Sequence, residues 1–297
     1  MRTILLFLRM ALVLLLVVVN IVVHVVPLFA VAIAKALLPL RRVRAVCDRM
    51  LAAIAESWIG VNSVMIDAFA RTRLVVAESA QVRYAGRYLV LANHQSWVDI
   101  LVLQKVFNRR IPLLRFFLKR ELFWVPLLGL AWWALDFPFM RRHTREQIER
   151  RPELAGRDIE TTRRACAKFR DTPVAVMNFV EGTRFTPAKH AVQASPYPHL
   201  LKPKSGGVAF VLDAMGDALE AILDVTLVYP AGRPSMADLF AGRVPQVRVE
   251  VRQRAITPDL VGDYQNDAAF REHFQQWMNA LWAEKDATIA RLLDTAD

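Results

Sequence analysis

Tyr88-Leu89-Val90-Leu91-Ala92-Asn93-His94-Gln95-Ser96-Trp97-Val98-Asp99 joins two kinds of sequence. Its first five residues are a continuous apolar run, the pattern of a buried strand. From Trp97 onward, Ile100, Leu101, Gln104 and Phe107 recur at helical spacing. A histidine and a carboxylate therefore sit where a strand hands over to a helix, a place where side chains project from a rigid scaffold into a cleft. A neutral imidazole takes a proton near neutral pH. A carboxylate on its other nitrogen fixes the tautomer and stabilises the imidazolium. Acyl transfer to a hydroxyl can use such a pair. The same residues also fit a capping box, in which Ser96 caps the helix, Asp99 reaches back, and His94 is an ordinary turn histidine.

The 297 residues carry a net charge of +11 and are 55% apolar. A basic surface attracts nucleic acid, anionic head groups or phosphorylated ligands. The apolar residues are concentrated before residue 44, which favours the membrane. Cys47 and Cys166 are isolated, so neither a disulfide framework nor a metal cluster follows from them. Met10 to Val23 carries no charge, and the wider apolar stretch exceeds the roughly 20 residues needed to cross a bilayer. Ala30-Val31-Ala32 resembles a signal cleavage site, yet the run before it is longer than the roughly 7–15 residues of a signal core. Pro27 predicts a kink or the turn of a re-entrant hairpin. Arg41, Arg42, Arg44 and Arg49 follow, placing the C-terminal side in the cytoplasm by the positive-inside bias. Three regions are expected: a transmembrane or membrane-embedded segment at 1–44, an amphipathic or interfacial helix at 45–71, and a catalytic domain at 72–297.

Within the last region, 74–78 and 81–84 read as a strand pair. Ile111 to Leu118 reads as a strand, Asp136 to Arg142 as a strand emptying into a basic turn, and 144–170 as polar helical sequence. The run 123–133 holds three of the seven tryptophans and no charge. It reads equally as core, as acyl-chain groove, or as lipid interface. Val174 to Val180 is a buried strand and Ile222 to Tyr229 another. Val247 to Arg252 alternates like an edge strand with one wet face. Residues 265–294 are a terminal helix or two. Alternating strands and helices predict an α/β fold, a mixed β-sheet covered by helices.

Two further stretches carry chemistry. Glu181-Gly182-Thr183-Arg184 closes a strand. Glycine lets main-chain N–H groups approach an anion, and arginine offers a fork matched to phosphate. A surface turn with an internal Glu–Arg pair is the competing reading. Leu201-Lys202-Pro203-Lys204-Ser205-Gly206-Gly207 is a basic turn opening a helix, where an anion could bind or the lysines could simply be solvated.

Together these stretches resemble the membrane-bound glycerolipid acyltransferases, the superfamily of lysophosphatidic acid acyltransferase. His94 and Asp99 fit its histidine and aspartate separated by four residues. Phe139 and Arg142 fit an aromatic–basic block, although Asp136 stands where that block usually opens with glycine, and Gln95 where arginine is common. Glu181 to Arg184 fits the third block, about ninety residues after the first, a specific combination. Leu201 to Gly207 fits the fourth loosely. The string from Glu181 to His190, with Asp224 to Pro230, looks like the lysocardiolipin-type branch.

The resemblance implies transfer of a fatty acyl group from acyl-CoA or acyl-carrier protein to the free hydroxyl of a lysophospholipid, 1-acylglycerol-3-phosphate or a related phosphate-bearing lysolipid. His94 would be the base and Asp99 its orienting partner. Glu181, Gly182, Thr183, Arg184, Arg142 and Lys204 would hold the phosphate, with no cofactor and no metal. Membrane lipids are the expected surroundings, at a bacterial inner membrane with the catalytic region on the cytoplasmic face. Two other classes compete: a membrane-anchored hydrolase with a metal at His94 and Asp99, and a non-catalytic membrane scaffold. His24, His143, His190, His199 and His273 show no ligand spacing for the first. Nucleic-acid binding lacks any motif to accompany the charge.

Overall fold

The computed structural model describes residues 2–38, 40–140, 166–167, 169–170 and 172–295. The chain begins with α1 (Arg2–Leu37) and α2 (Arg41–Met65), then β1 (Arg73–Glu78), β2 (Arg87–Ala92) and α3 (Val98–Phe107). Next come β3 (Leu114–Phe116), β4 (Leu118–Lys119), α4 (Leu128–Ala134), β5 (Phe139–Met140) and β6 (Val174–Phe179). The last part holds α5 (Pro187–Gln193), α6 (Gly206–Met215), β7 (Ala221–Val228), α7 (Met236–Phe240), β8 (Gln246–Arg254) and α8 (Ala268–Asp294).

Among the described residues the main sheet has the order β1-β8-β7-β2-β6-β3. The four strands β7, β2, β6 and β3 are mutually parallel, and β8 runs antiparallel to β7 with β1 parallel to β8. Both faces are covered, which is why β2 reads as an unbroken apolar run. Tyr88, Val90 and Ala92 enter one core with α2 and α3; Leu89 and Leu91 enter the other with α6 and α8. The mixed, helix-covered sheet expected from the alternation is present.

Several local expectations change. Residues 81–84 form no strand: Arg83 N–H donates to the Tyr88 hydroxyl, which folds this segment back under β2, and β1 pairs with β8 instead. The strand expected over 111–118 shrinks to Leu114–Phe116, beyond Pro112, whose missing N–H ends the ladder. The strand expected over 136–142 is the two-residue β5, paired with β4. The helical reading of 144–170 lies outside the described residues, apart from fragments. β8 is interior rather than an edge, and its central polar side chains, Arg248 and Glu250, are buried. Arg248 donates to the carbonyls of Leu292 and Thr295, and Glu250 meets Arg252 and Arg291.

At the N-terminus α1 continues through Pro27, and the reversal comes between Leu37 and Arg41. α1 and α2 lie antiparallel. Lys35 meets Asp48 at the turn, His24 Nε2 meets the Ser57 hydroxyl in the middle, and Asn20 donates to Asn62. Residues 7–37 of α1 are long and apolar enough to cross a membrane. Both ends of α1 also touch the sheet domain: Arg9, whose guanidinium donates to the Phe69 carbonyl just past α2, lies against Gly242 beyond α7, and Lys35 pairs with Asp136.

α8 supplies a fully buried ammonium. Lys285 Nζ lies 2.5 Å from Asp224 and donates to the Val225 carbonyl at 2.7 Å. Burial lowers its pKa, and the Asp224 charge opposes that. Removing one partner of a buried pair strands the other charge. Lys285→Met should therefore lower stability by about 3 kcal/mol in chemical denaturation, with Arg254 still holding Asp224. Lys285→Met with Asp224→Asn should recover most of the loss. A double variant no better than the single one would count against this pairing.

Candidate active site

The parallel strands β2, β6 and β7 end at one edge of the sheet, the position where open α/β sheets place ligands. His94 follows β2, Glu181 follows β6 and Tyr229 follows β7. His94 Nδ1 lies 2.8 Å from Asp99 Oδ2. A carboxylate only accepts, so Nδ1 carries the proton and Nε2 presents its lone pair. Asp99 is fully buried. Its Oδ2 also accepts the N–H groups of Gln95, at 2.6 Å, and Ser96, at 2.9 Å, while Oδ1 accepts the Tyr229 hydroxyl at 2.6 Å. The two readings of the sequence thus coexist: Asp99 reaches back to the Ser96 N–H as in a capping box and holds the imidazole as well. Ser96 itself uses its hydroxyl differently, donating to the Pro234 carbonyl and accepting from Val98 N–H.

The imidazole is stacked on Phe179, ring centroids 3.9 Å apart. His94 and Phe179 line an apolar cavity of about 390 Å³. Its walls come from α1 (Val13, Val17), α2 (Trp58), α3 (Leu101) and α4 (Trp132). The tryptophan-rich run therefore serves two surroundings: Leu128, Ala131 and Trp132 face the cavity, while Trp124, Leu130 and Trp133 are exposed.

Glu181 turns inward, against the expectation that it faces a phosphate. It is fully buried and accepts the N–H groups of His94, at 2.8 Å, and Leu201, at 3.0 Å. A carboxylate would repel a phosphate; here it ties the His94 turn to the Leu201 turn. Burial pushes its carboxyl up to about 7, against the two backbone N–H bonds that pull it down. Gly182 adopts φ +67°, which its lack of a Cβ permits. The Thr183 hydroxyl accepts from Lys189 at 2.7 Å. Arg184 is exposed and lies over the half-exposed Trp97 ring, 4.5 Å from its centre. Lys204 N–H donates to the Val180 carbonyl, which anchors the basic turn against the end of β6. Gly182, Thr183, Arg184 and Lys204 are thus on the same edge as His94. Arg142 lies outside the described residues.

Three residues with no role in the sequence reading join the site. Tyr229 reaches Asp99. Asn93 exchanges two hydrogen bonds with the Leu227 backbone, locking the ends of β2 and β7 in register. Arg233 stacks over Phe185, 3.9 Å from the ring centre, and Phe185 N–H donates to the His94 carbonyl. Its only advance signal is position: a Gly-Arg-Pro turn immediately after a buried strand. Cys166 is buried and its thiol is pushed up to about 12, which leaves it inert.

The comparisons with known proteins bear on this edge. The profile of the family described as Acyltransferase matches residues 73–231. Mouse 1-acyl-sn-glycerol-3-phosphate acyltransferase epsilon is 26% identical over 231 residues, covering 70% of this chain and 59% of its own length. The mouse gamma protein is 27% identical over 225 residues, covering 71% and 55%, and Arabidopsis thaliana 1-acyl-sn-glycerol-3-phosphate acyltransferase 3 is 25% identical over 232 residues, covering 73% and 56%. The chain thus spans somewhat more than half the length of these relatives. The crystal structure of the 1-acyl-sn-glycerophosphate (LPA) acyltransferase PlsC from Thermotoga maritima shares the fold, with a TM-score of 0.56 at 16% identity over the whole of both chains. The family match covers more than half of the sequence and contains His94, Asp99, Glu181 to Arg184 and Tyr229, and on that ground the chain belongs to the Acyltransferase family.

Proposed function

We propose that this protein transfers a fatty acyl group from a thioester, acyl-CoA or acyl-carrier protein, to the free hydroxyl of a lysophospholipid bearing a phosphate, of the 1-acylglycerol-3-phosphate class. The observation that carries the reading is the placement of His94. Its Nδ1 is fixed by a buried carboxylate, its ring lines an apolar cavity, and arginines lie at the same edge. His94 Nε2 takes the proton of the acceptor hydroxyl. The oxygen attacks the thioester carbonyl carbon, the C–S bond breaks, and His94 returns the proton to the leaving sulfur. A thioester is already activated, so the reaction needs no cofactor and positioning supplies much of the barrier reduction. The cavity, at about 390 Å³, is of the size that holds small ligands, and each buried methylene contributes about 0.8 kcal/mol of anchoring. Arg184, Arg233 and Lys204, with the backbone at Gly182 and Thr183, grip the phosphate.

The outer face of α1 exposes Leu8, Leu12, Leu15, Val19, Val22 and Val26. Its two contacts with the sheet domain, at Arg9 and Lys35, are about 39 Å apart along a helix rising ~1.5 Å per residue. That exceeds the ~30 Å hydrocarbon core, so a perpendicular α1 would submerge the domain. The reading consistent with both contacts has α1 lying along one leaflet, with its apolar face in the lipid. Arg41, Arg42, Arg44 and Arg49 then meet anionic head groups, as at the cytoplasmic face of a bacterial inner membrane.

Three measurements test this. In detergent with lysophosphatidic acid and a long-chain acyl-CoA, His94→Ala should lower thiol release by on the order of 10²–10⁴. Retention of most of the activity would remove the assigned base. Arg184→Ala and Arg233→Ala should each raise the acceptor KM roughly tenfold while kcat stays within about twofold; an unmoved KM would dissolve the clasp. Glu181 provides the pH test. Its raised pKa means the folded protein binds more protons than the unfolded chain between about 4.5 and about 7. This contribution to stability is therefore full below that window and falls as pH rises through it. Glu181→Gln should flatten the decline in Tm between about pH 5 and pH 7, at a constant cost of about 1–3 kcal/mol because an amide NH₂ then faces one backbone donor. A slope unchanged by the substitution would assign it to other groups.

A further inference from the structure

Asp99 uses its two oxygens differently. Oδ2 is crowded by His94 Nδ1 and two backbone N–H groups, whereas Oδ1 accepts the Tyr229 hydroxyl at 2.6 Å. Tyr229 is itself buried, one residue past β7 and followed by Pro230. Its position is set from outside: Asn93, one residue before His94, clamps both polar groups of the Leu227 backbone, two residues before Tyr229. A rigid strand end thus delivers one phenol to one carboxylate oxygen. Burial, and then the adjacent Asp99 charge, hold the phenol well above its ordinary pKa, so it remains a donor throughout the working range.

We infer that Tyr229 is a positioning residue for the His94–Asp99 pair, completing a His–Asp–Tyr chain in which its hydroxyl fixes the plane of the carboxylate and draws charge away from the imidazole. The inference rests on the acyl-transfer reading of His94. The physical consequence has a definite sign. A donor on Oδ1 delocalises the negative charge of Asp99, so the carboxylate stabilises the imidazolium less than it otherwise would. His94 then surrenders its proton more readily to the leaving thiolate. Without the donor, Oδ1 is a buried acceptor with no partner, the charge concentrates beside His94, and the imidazolium is over-stabilised. The other charged groups around the pair are accounted for: Glu181 from the end of β6, bonded to the His94 N–H; Arg184 beyond it; Arg233 after β7; and Lys285 from α8, which acts on Glu181. None of them bonds to Oδ1.

The test uses the full chain in detergent and follows the ring protons of His94 by NMR titration, assigned by their absence in His94→Gln. Tyr229→Phe should move the His94 midpoint up by about half to one pH unit. It should also lower kcat about tenfold and leave the acceptor KM within about twofold. Tyr88→Phe, at a buried tyrosine bonded to Arg83 N–H, should move neither. If Tyr229→Phe does not fold, uniform 3-fluorotyrosine labelling replaces it. The more acidic phenol donates more strongly, and the midpoint should move down. An unmoved midpoint in either experiment, or the same shift in Tyr88→Phe, overturns the inference. Wild-type protein that titrates normally but transfers no acyl group would defeat the catalytic reading alone, since the Tyr229 shift is read without turnover.

Discussion

Three consecutive N–H groups, those of His94, Gln95 and Ser96, leave the end of β2 without a strand partner and point at two buried carboxylates. A buried donor needs an acceptor, and a buried carboxylate needs donors; each condition here is met by the other. Asp99 takes two of the three groups and Glu181 the third. The imidazole is then placed by the hydrogen-bonding requirement of the loop that carries it, because the oxygen that satisfies Gln95 and Ser96 is the one that receives Nδ1. A conventional side-chain cap on α3 would satisfy the helix but leave His94 unoriented. The same loop offers its His94 carbonyl to Phe185, so the glycine-bearing turn after β6 is fastened to it too.

Burying carboxylates at one sheet edge has an electrostatic cost that the fold answers from a distance. Asp99, Glu181 and Asp224 are all nearly inaccessible. α8 contributes the compensating ammonium of Lys285, and the indole of Trp282 on the same helix donates to the Leu201 carbonyl at 2.9 Å. Leu201 N–H in turn holds Glu181. The C-terminal helix therefore reaches the His94 turn through two intermediates, Leu201 and Glu181, although it lies outside the 73–231 span that matches the family. Such a chain of contacts explains how a site built from strand ends stays rigid without a disulfide: Cys47 and Cys166 are both buried and free.

What was legible in the sequence was what is local. His94 and Asp99 are five positions apart, so a single strand-to-helix turn brings them together whatever the rest of the chain does. Gly182 and Arg184 were legible because glycine and arginine carry their chemistry with them. Glu181 was not, since only the tertiary fold decides which side of a turn enters the core. Tyr229 and Arg233 follow a strand whose partner cannot be read from its own residues; their contribution appears once β7 lies beside β2. The alternation of β8 misled for a related reason: Arg248 and Glu250 look solvent-facing until partners on α8 and beyond it bury them. In the tryptophan-rich run, one short helix divides its faces: Leu128, Ala131 and Trp132 line the cavity, as a groove would require, while Leu130 and Trp133 are exposed.

The N-terminal hairpin combines an exposed apolar face and a cavity wall in a single element. Along α1, Val13 and Val17 line the cavity that holds His94, while Leu14, Leu15 and Val18 between and beyond them are exposed. At 3.6 residues per turn these are opposite faces of the same two turns, so rotating or sliding α1 would change both surfaces at once. An all-apolar helix pair has little to prevent such sliding, because aliphatic side chains pack in many registers. The polar residues supply the missing specificity. Asn20 and His24 are buried in the seam and bond to Asn62, Ser57 and the Trp58 carbonyl, and Lys35 bridges Asp48 and Asp136 at the turn. Moving α1 by one residue would break all of these bonds and leave polar groups without partners in an apolar seam, a larger penalty than any aliphatic mismatch. The cavity wall and the exposed apolar face keep a fixed relation because a few polar side chains admit one register of the hairpin.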